Sequence, residues 1–569
     1  MRSIPAGLEA LAFALACAGA LTLAAPLGCT RPLPGPQPAG EQGANPRRGG
    51  TLRLASGLDI RNLDPAGPTD GLAMQALLLM FDGLVDFDRE GRVIPNLADS
   101  WEIGDDGRTY RFHLRPGVRM HDGAELTADD VKRSVERALH PTTPSPTASF
   151  FEGIVGYADY ASGIAAHLPG VAAEGRYGVT FRLTQTDGAF LALLALPSMR
   201  PVCASGGERY LDSWTPCGAG PFKLDAAGWQ RGTSLRVIRH DAYFQAGLPH
   251  LDAVEWTFNT GALPQRFRFE DGDLDLLLNP TQADVGRFAA DPRWEGLHAT
   301  LADNTSWGEA MNNRMAPFDN VEVRRAVAAA VDRSVLPLIN RVNISPLTQL
   351  LPRGVPGYDP SFEGQRYDPA AALEHMRRAG YPYDPATGRG GWPRPIVYTV
   401  TDPSFESFWA QVLAQQLSRI GLRLQLRLVT LPAFYALTQR QGASAMHPQG
   451  NQADYADPSA FFDLLFTSSA ITAEGTSNTA RYSNPRYDEV VARARHSLDA
   501  GLRRALYHEA DAILCDDAPW AFTHGQHDYV MRQPYVRGFE PHPIWPLDVR
   551  GVWLDRPGAA VPAASAGLR

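Results

Sequence analysis

Cysteine is scarce in this chain, five residues in 569, and no two form a Cys-x-x-Cys pair. That excludes the thiolate clusters of zinc ribbons and the dithiol redox motif. Positive charge is not in excess: 53 Lys and Arg stand against 62 Asp and Glu, a net charge of −9. With no basic stripe along the sequence, nucleic acid is not expected as a partner. Beyond the first thirty residues no apolar run reaches the roughly 20 residues of a membrane-spanning helix. The 14 His are scattered, and His240, His250, His447, His524 and His527 show no metal-ligand spacing, so neither metal nor cofactor is expected. The nucleophile elbow, the Walker loop, His-Glu-x-x-His and the dinucleotide fingerprint are all missing. Gly49-Gly50 precedes the first expected strand rather than following one, so it makes no phosphate cradle. No repeat of fixed period points to a solenoid or propeller.

What is present is material for several cores. The chain is 44% hydrophobic and only 20% charged, with 53 Gly and 46 Pro spread along it. Disordered chains carry more charge, so turn-rich α/β structure is expected. A single core stops growing at roughly 250–300 residues, which implies two or more lobes.

The first thirty residues differ in kind. Arg2 precedes a mostly apolar, Ala-rich run over 11–27, then Gly28-Cys29, then polar, Pro-rich sequence to about Gly49. This pattern is a secretory signal and not a span. Its ending, Leu27-Gly28-Cys29, resembles a bacterial lipoprotein processing site. On that reading residues 1–28 are removed, Cys29 carries lipid and 29–49 tether the protein to a membrane; ordinary secretion is the other reading. Cys17 leaves with the signal. In an oxidising compartment Cys203 and Cys217 are expected to pair, closing a short loop worth about 3 kcal/mol. Cys515 falls on the apolar side of an expected helix with Leu506, Ala510, Ile513 and Leu514, as a free thiol.

Local patterns place the elements. Strands are expected at 51–55, 84–87, 109–114, 179–183, 222–224, 235–239 and 253–258, with helices at 71–80 and 190–196. Thr127 as N-cap and Asp130 at the capping-box position start a helix with Val131, Val135 and Leu139 on one face. Asp319 is expected to cap another helix, and Asp368-Pro369 begins a third that Gly380 ends. The clearest unit is a strand at 395–400, a helix at 405–420 stopped by Gly421, and a strand at 422–429. Strand, helix and strand of these lengths predict a parallel βαβ crossover.

Three carboxylate pairs invite a glycosidase reading, which needs two carboxylates facing each other across a sugar. Asp105-Asp106 is better read as a turn beside Gly107, and Asp129-Asp130 as helix capping. Asp516-Asp517, like any adjacent pair, does not set two carboxylates face to face. No catalysis is expected.

Several stretches, in order, carry a resemblance. They include Asn96-Leu97-Ala98-Asp99-Ser100-Trp101, 106–115, Leu126-Thr127-Ala128-Asp129-Asp130-Val131 and Cys217-Gly218-Ala219-Gly220-Pro221-Phe222. Further along come Asp241-Ala242-Tyr243-Phe244, Asn312, Pro317-Phe318-Asp319, Asp332-Arg333, Ala453-Asp454-Tyr455-Ala456-Asp457-Pro458 and 478–485. From Gly50 to about Trp553 the chain resembles the extracytoplasmic solute-binding receptors of ABC importers, specifically the oligopeptide/dipeptide-binding family, family 5. The resemblance implies an α/β fold, periplasmic binding protein type II, with two hinged lobes plus an inserted extra domain. It implies lobe I at 50–80, 205–308 and 526–556, an inserted domain at 81–204, lobe II at 309–525 and a tail at 557–569. It also implies a monomer that captures a short peptide and delivers it to permease subunits at the membrane.

An Asp in a run such as 451–458 is, by itself, a turn or a helix cap. The resemblance implies instead that Asp454 pairs with a peptide's α-ammonium. Asn451 and Gln452 stand where close oligopeptide members carry Trp and Cys, and Pro448 replaces an Arg. Ser145-Pro146-Thr147 replaces Ser-Pro-Tyr, removing one aromatic wall. These departures keep open a non-peptide solute such as an oligosaccharide or metal chelate, for which Trp307 and Tyr455 would be platforms. Residues 305–309, Thr305 and Trp307 among them, are expected to line the cleft. Asn312, Asp99, Trp101 and Asp332 are expected to be structural.

Overall fold

The computed structural model describes residues 45–67, 71–206, 214–301, 304–339, 344–401, 405–439, 443–472, 475–540, 542, 544–545 and 547–556. The expected signal, Cys17, the lipid site Cys29, the tether up to residue 44 and the tail at 557–569 lie outside the described residues.

Four sheets carry most of the structure. In the first, Thr51–Ala55 lies parallel to Ala253–Thr257, which continues antiparallel through Ser234–Arg239 to Phe222–Gln230. Alternation does this: Leu52 and Leu54, Leu235 and Val237, Val254 and Trp256 turn inward, as a period of two requires. A second, antiparallel sheet orders Ala98–Ile103, Thr109–Leu114, Gly178–Arg182 and Val171–Glu174. Its inner face carries Tyr110, Phe112 and Phe181, with the Phe112 and Phe181 rings edge to face at 5.8 Å. The helix Ala128–Leu139 covers it with Val131, Val135 and Leu139. That helix begins as expected: the Asp130 carboxylate accepts from the Thr127 N–H at 3.0 Å and hydroxyl at 2.7 Å.

The largest sheet has six strands in the order Ile344–Pro346, Trp520–Gln526, Thr305–Met311, Met446–Gln452, Ile396–Thr401 and Leu424–Val429. Its last two strands run parallel, joined by the helix Phe405–Ser418, which buries Trp409, Leu413 and Leu417 in the same core as Tyr398 and Val400. The crossover expected from local pattern is therefore present. The leucines of its second strand are less buried than their alternation suggests, because that strand is the sheet edge; Leu428 is 53% exposed. A small sheet pairs Tyr529–Arg532 with Leu276–Leu278 on one side and His298–Thr300 on the other. The chain thus leaves the small sheet for the large one after residue 300 and returns to it after residue 526.

Helix starts follow capping chemistry with one correction. Asp368 accepts from Ala370 and Ala371 N–H at 3.0 and 2.9 Å. The expected cap Asp319 sits one residue early: the helix is Val321–Ala330, and Asn320 Oδ1 accepts the Glu322 N–H at 2.9 Å. Asn and Asp are interchangeable caps, so only geometry separates them.

One core joins distant segments. Phe112, Phe181 and Phe190 belong to the same buried cluster as Phe461, Phe462, Tyr487 and Trp520. Residues 81–204 are thus also packed onto the helices after residue 458. Close approach there depends on Gly188, whose Cβ would lie 2.3 Å from the Ser497 carbonyl oxygen. Arg495 ties the join, donating to Asp187 at 2.6 and 2.7 Å and to Asp463 at 2.9 Å.

Cys203 and Cys217 are joined in a disulfide, 14 residues apart, and Cys515 is a half-buried free thiol. Replacing both bonded cysteines by serine is expected to lower unfolding stability by about 3 kcal/mol through the freed loop of the unfolded chain. Urea unfolding of the double variant beside the parent checks this. An unchanged midpoint would mean the bond constrains nothing.

Candidate functional site

The strand Met446–Gln452 pairs in register with Thr305–Met311, setting Gln452 opposite Thr305 and Gly450 opposite Trp307. Just past its end the Ala453 N–H donates to the Asn304 carbonyl at 2.8 Å. The chain then turns into the helix Ser459–Phe466, where Asp457 Oδ1 accepts from the Ser459 N–H at 3.0 Å. Arg503 grips both oxygens of Asp457 at 2.8 Å. Asp454 is held between these anchors.

It faces a cavity of about 700 Å³. The wall gathers remote pieces of chain: Gln75, the 146–150 turn with Thr147 and Phe150, Ser198, Asn279, Gln452 with Asp454, Asp528 and Trp545. The Thr147 and Ser198 hydroxyls meet at 2.7 Å. By accessible area Asp454 is exposed, because water can enter the cavity. Protein nonetheless crowds it on most sides, and this poor solvation pushes its pKa up to about 6. No ion-pair partner stands beside it among the described residues. Asp528 is raised too, burial outweighing its hydrogen bond with Asn279 and the nearby His527.

Of the six residues expected to touch ligand, the cavity brings together Asp454 and Gln452. Asn451 instead donates its amide to the Ala460 carbonyl at 3.0 Å, bracing the helix. Tyr455 is 2% exposed, its ring edge-on to Phe150 at 5.9 Å and its hydroxyl 3.1 Å from Ser459. Trp307 stacks on His524 at 5.9 Å and lies over Gly450, where a Cβ would come within 2.5 Å of its ring. The Thr305 hydroxyl donates to Asn304 Oδ1 at 3.2 Å. Glu309 is fully inside, accepting from Tyr398 and Trp409 at 2.5 and 2.7 Å. The 305–309 strand is thus sheet interior and not cavity wall.

Asp528 and Asn279 had no local signal, since their neighbours in sequence carry no motif. Pro146 and Thr147 were marked only as a departure, and Phe150, four residues beyond Pro146, supplies an aromatic wall there.

In each carboxylate pair at least one member is committed to structure, Asp130 by its helix cap. Asp106 accepts from the Arg108 and Thr109 N–H groups at 2.9 and 3.0 Å. Asp516 holds Arg325 at 2.7 Å, and Asp517 accepts from Tyr482 at 2.6 Å and Asn484 at 2.7 Å. Asn312 also proves structural, bridging Ser444 O at 3.3 Å and the Arg314 N–H at 3.1 Å. Among the described residues the one grouping of metal-binding atoms is Asp122 with Cys203 and Cys217, whose sulfurs form the disulfide.

Residues 92–473 match the family described as bacterial extracellular solute-binding proteins, family 5 Middle. The chain is similar to heme-binding protein A of Haemophilus influenzae, 29% identical over 84% of this chain and 87% of that protein. It is 28% identical to di/tripeptide-binding protein 1 of Pseudomonas aeruginosa, over 80% of this chain and 85% of that one. Among solved structures, the ABC transporter-associated periplasmic binding protein DppA of Helicobacter pylori, with peptide STSA, superposes with a TM-score of 0.72. That match is at 24% identity and covers 90% of this chain and 99% of the other. The fold is therefore the bilobed periplasmic binding protein type II, and the chain belongs to the family 5 bacterial extracellular solute-binding proteins, as a non-enzymatic receptor for a solute.

Proposed function

We propose that this receptor captures short peptides by pairing their α-ammonium with Asp454, and delivers them to the permease of an ABC transporter. One observation carries the reading: an unpartnered carboxylate standing in a cavity of peptide size. A buried ammonium–carboxylate bond formed there is far stronger than a surface pair. Relatives named for di- and tripeptides and for glutathione support it. The motion this reading uses is closure of 309–525 over 50–80, 205–308 and 526–556, with 81–204 alongside. A lipid on Cys29 would keep the receptor beside its permease in the periplasm.

Native mass spectrometry of protein from its own host's envelope, followed by release of the bound solute, tests this. A mixture of short peptides is expected, with a lipid-modified N-terminal fragment. A single non-peptide solute would overturn the peptide reading in favour of an oligosaccharide or metal-chelate cargo.

Acidity gives a second check. With a free-receptor pKa of about 6, Asp454 is ionised at neutral pH and mostly protonated one unit below 6, while the ligand ammonium stays charged. Affinity for a free-amine peptide should therefore fall about tenfold from about pH 7 to pH 5. Calorimetry across that range measures it, and Asp454→Asn should flatten the profile.

A further inference from the structure

We propose that the cavity selects solutes bearing two positive charges, short peptides with a Lys or Arg side chain above all, the second charge being met by Asp528. This rests on the Asp454 reading and goes beyond it.

The chemistry of the wall carries the inference. Asp454 and Asp528 reach one cavity from separate segments, and every other described residue lining it is neutral. Lys, Arg and His are absent from its described lining. The smaller chamber of about 290 Å³ that shares Gln75 and Asn279 with it adds one charged residue, Asp284. Asp284 is already engaged, by Arg266 at 3.0 Å and by the Thr281 hydroxyl at 2.6 Å. A plain zwitterionic peptide would bring one positive and one negative charge. Its ammonium would answer Asp454, its carboxylate would find no cation on the described wall, and Asp528 would receive no positive charge from the ligand. A second ammonium or guanidinium corrects the imbalance, since buried charges require partners.

Asp528 is also held in place to receive one. Its main-chain oxygen accepts the Leu301 N–H at 2.9 Å, and its carboxylate is hydrogen-bonded with Asn279. Asn279 in turn is locked to Tyr529, donating its N–H to the Tyr529 carbonyl at 2.8 Å and accepting the Tyr529 N–H at 3.2 Å.

The test is calorimetric titration of the full mature protein, stripped of solute, with four peptides: Ala-Lys-Ala, the same peptide acetylated on the lysine, Ala-Ala-Ala and Ala-Glu-Ala. Ala-Lys-Ala is expected to bind about tenfold or more tighter than its acetylated form, with Ala-Glu-Ala weakest. Asp528→Asn should bring Ala-Lys-Ala to the affinity of the acetylated peptide. Equal affinity of the lysine and acetyl-lysine peptides overturns the proposal, and this comparison needs no variant that folds. A lysine preference that survives Asp528→Asn overturns the assignment to Asp528. Silence of the whole series overturns the peptide reading itself, whereas binding without charge preference overturns only the present inference.

Discussion

Asp454→Ala weakens binding of a free-amine peptide by about 2–5 kcal/mol, or about 30-fold to several thousand-fold in Kd, the range for truncating one partner of a buried charged pair. The cost arises because the ligand's ammonium, desolvated on closure, loses its carboxylate. An N-acetylated peptide has no ammonium to lose and should be indifferent to the change. Stability moves the other way. Asp454 is held with a folded-state pKa of about 6, above the ordinary carboxylate value, so the empty folded state binds its proton more tightly than the unfolded chain does. Its contribution to stability is therefore present at acid pH and is lost as pH rises through 6. Removing the carboxylate should leave the melting temperature of the empty protein at neutral pH unchanged or slightly higher. Unaltered affinity for the free-amine peptide would remove Asp454 from the site, and a large fall in melting temperature would make it a structural residue instead.

Arg495→Ala is expected to cost the fold about 3–5 kcal/mol, the range for breaking a buried pair by removing one partner. The guanidinium lies between Asp187 and Asp463, where residues 81–204 meet the helices that follow residue 458. Burial keeps the Asp463 pKa at about 6 even with Arg495 present to lower it. Without that cation, Asp463 must either ionise unpaired or take up a proton on folding. The folded-state pKa then rises further above the unfolded value, and the loss of stability is greatest at neutral pH. Below 6 Asp463 is protonated in either protein, so the difference should narrow. Urea unfolding of parent and variant at about pH 7 and pH 5 reads both effects. A cost below 1 kcal/mol at neutral pH would show the ion pair to be solvated and the join to be held by Phe461, Phe462 and their neighbours alone.

Features whose causes lie within a few residues were legible without coordinates. The Thr127–Asp130 box, the Asp368-Pro369 start and the crossover from 396 to 429 each depend on spacing along one element. Asn320 rather than Asp319 caps its helix, an error of one residue between two equally good acceptors. Asp454 and Gln452, singled out by the distinctive run around them, both reach the cavity, where their strand ends.

Which of the other residues reach the cavity was not legible for one reason: their positions are set by partners far off in sequence. Tyr455 adjoins Asp454 yet is drawn inward by Phe150 and Ser459. Trp307 lies against the sheet because Gly450 leaves room and His524 offers a face. Asn451 has its amide taken by Ala460. Asp528 and Asn279, 249 positions apart by their numbering, meet because Leu276–Leu278 pairs with Tyr529–Arg532. By itself the sequence determined the class, most helix starts and the crossover, since short-range capping and hydrophobic period are written locally. Only the tertiary structure decided which side chains face the cavity and what charge it presents, because strand pairing across hundreds of residues chooses which neighbour takes up each polar group.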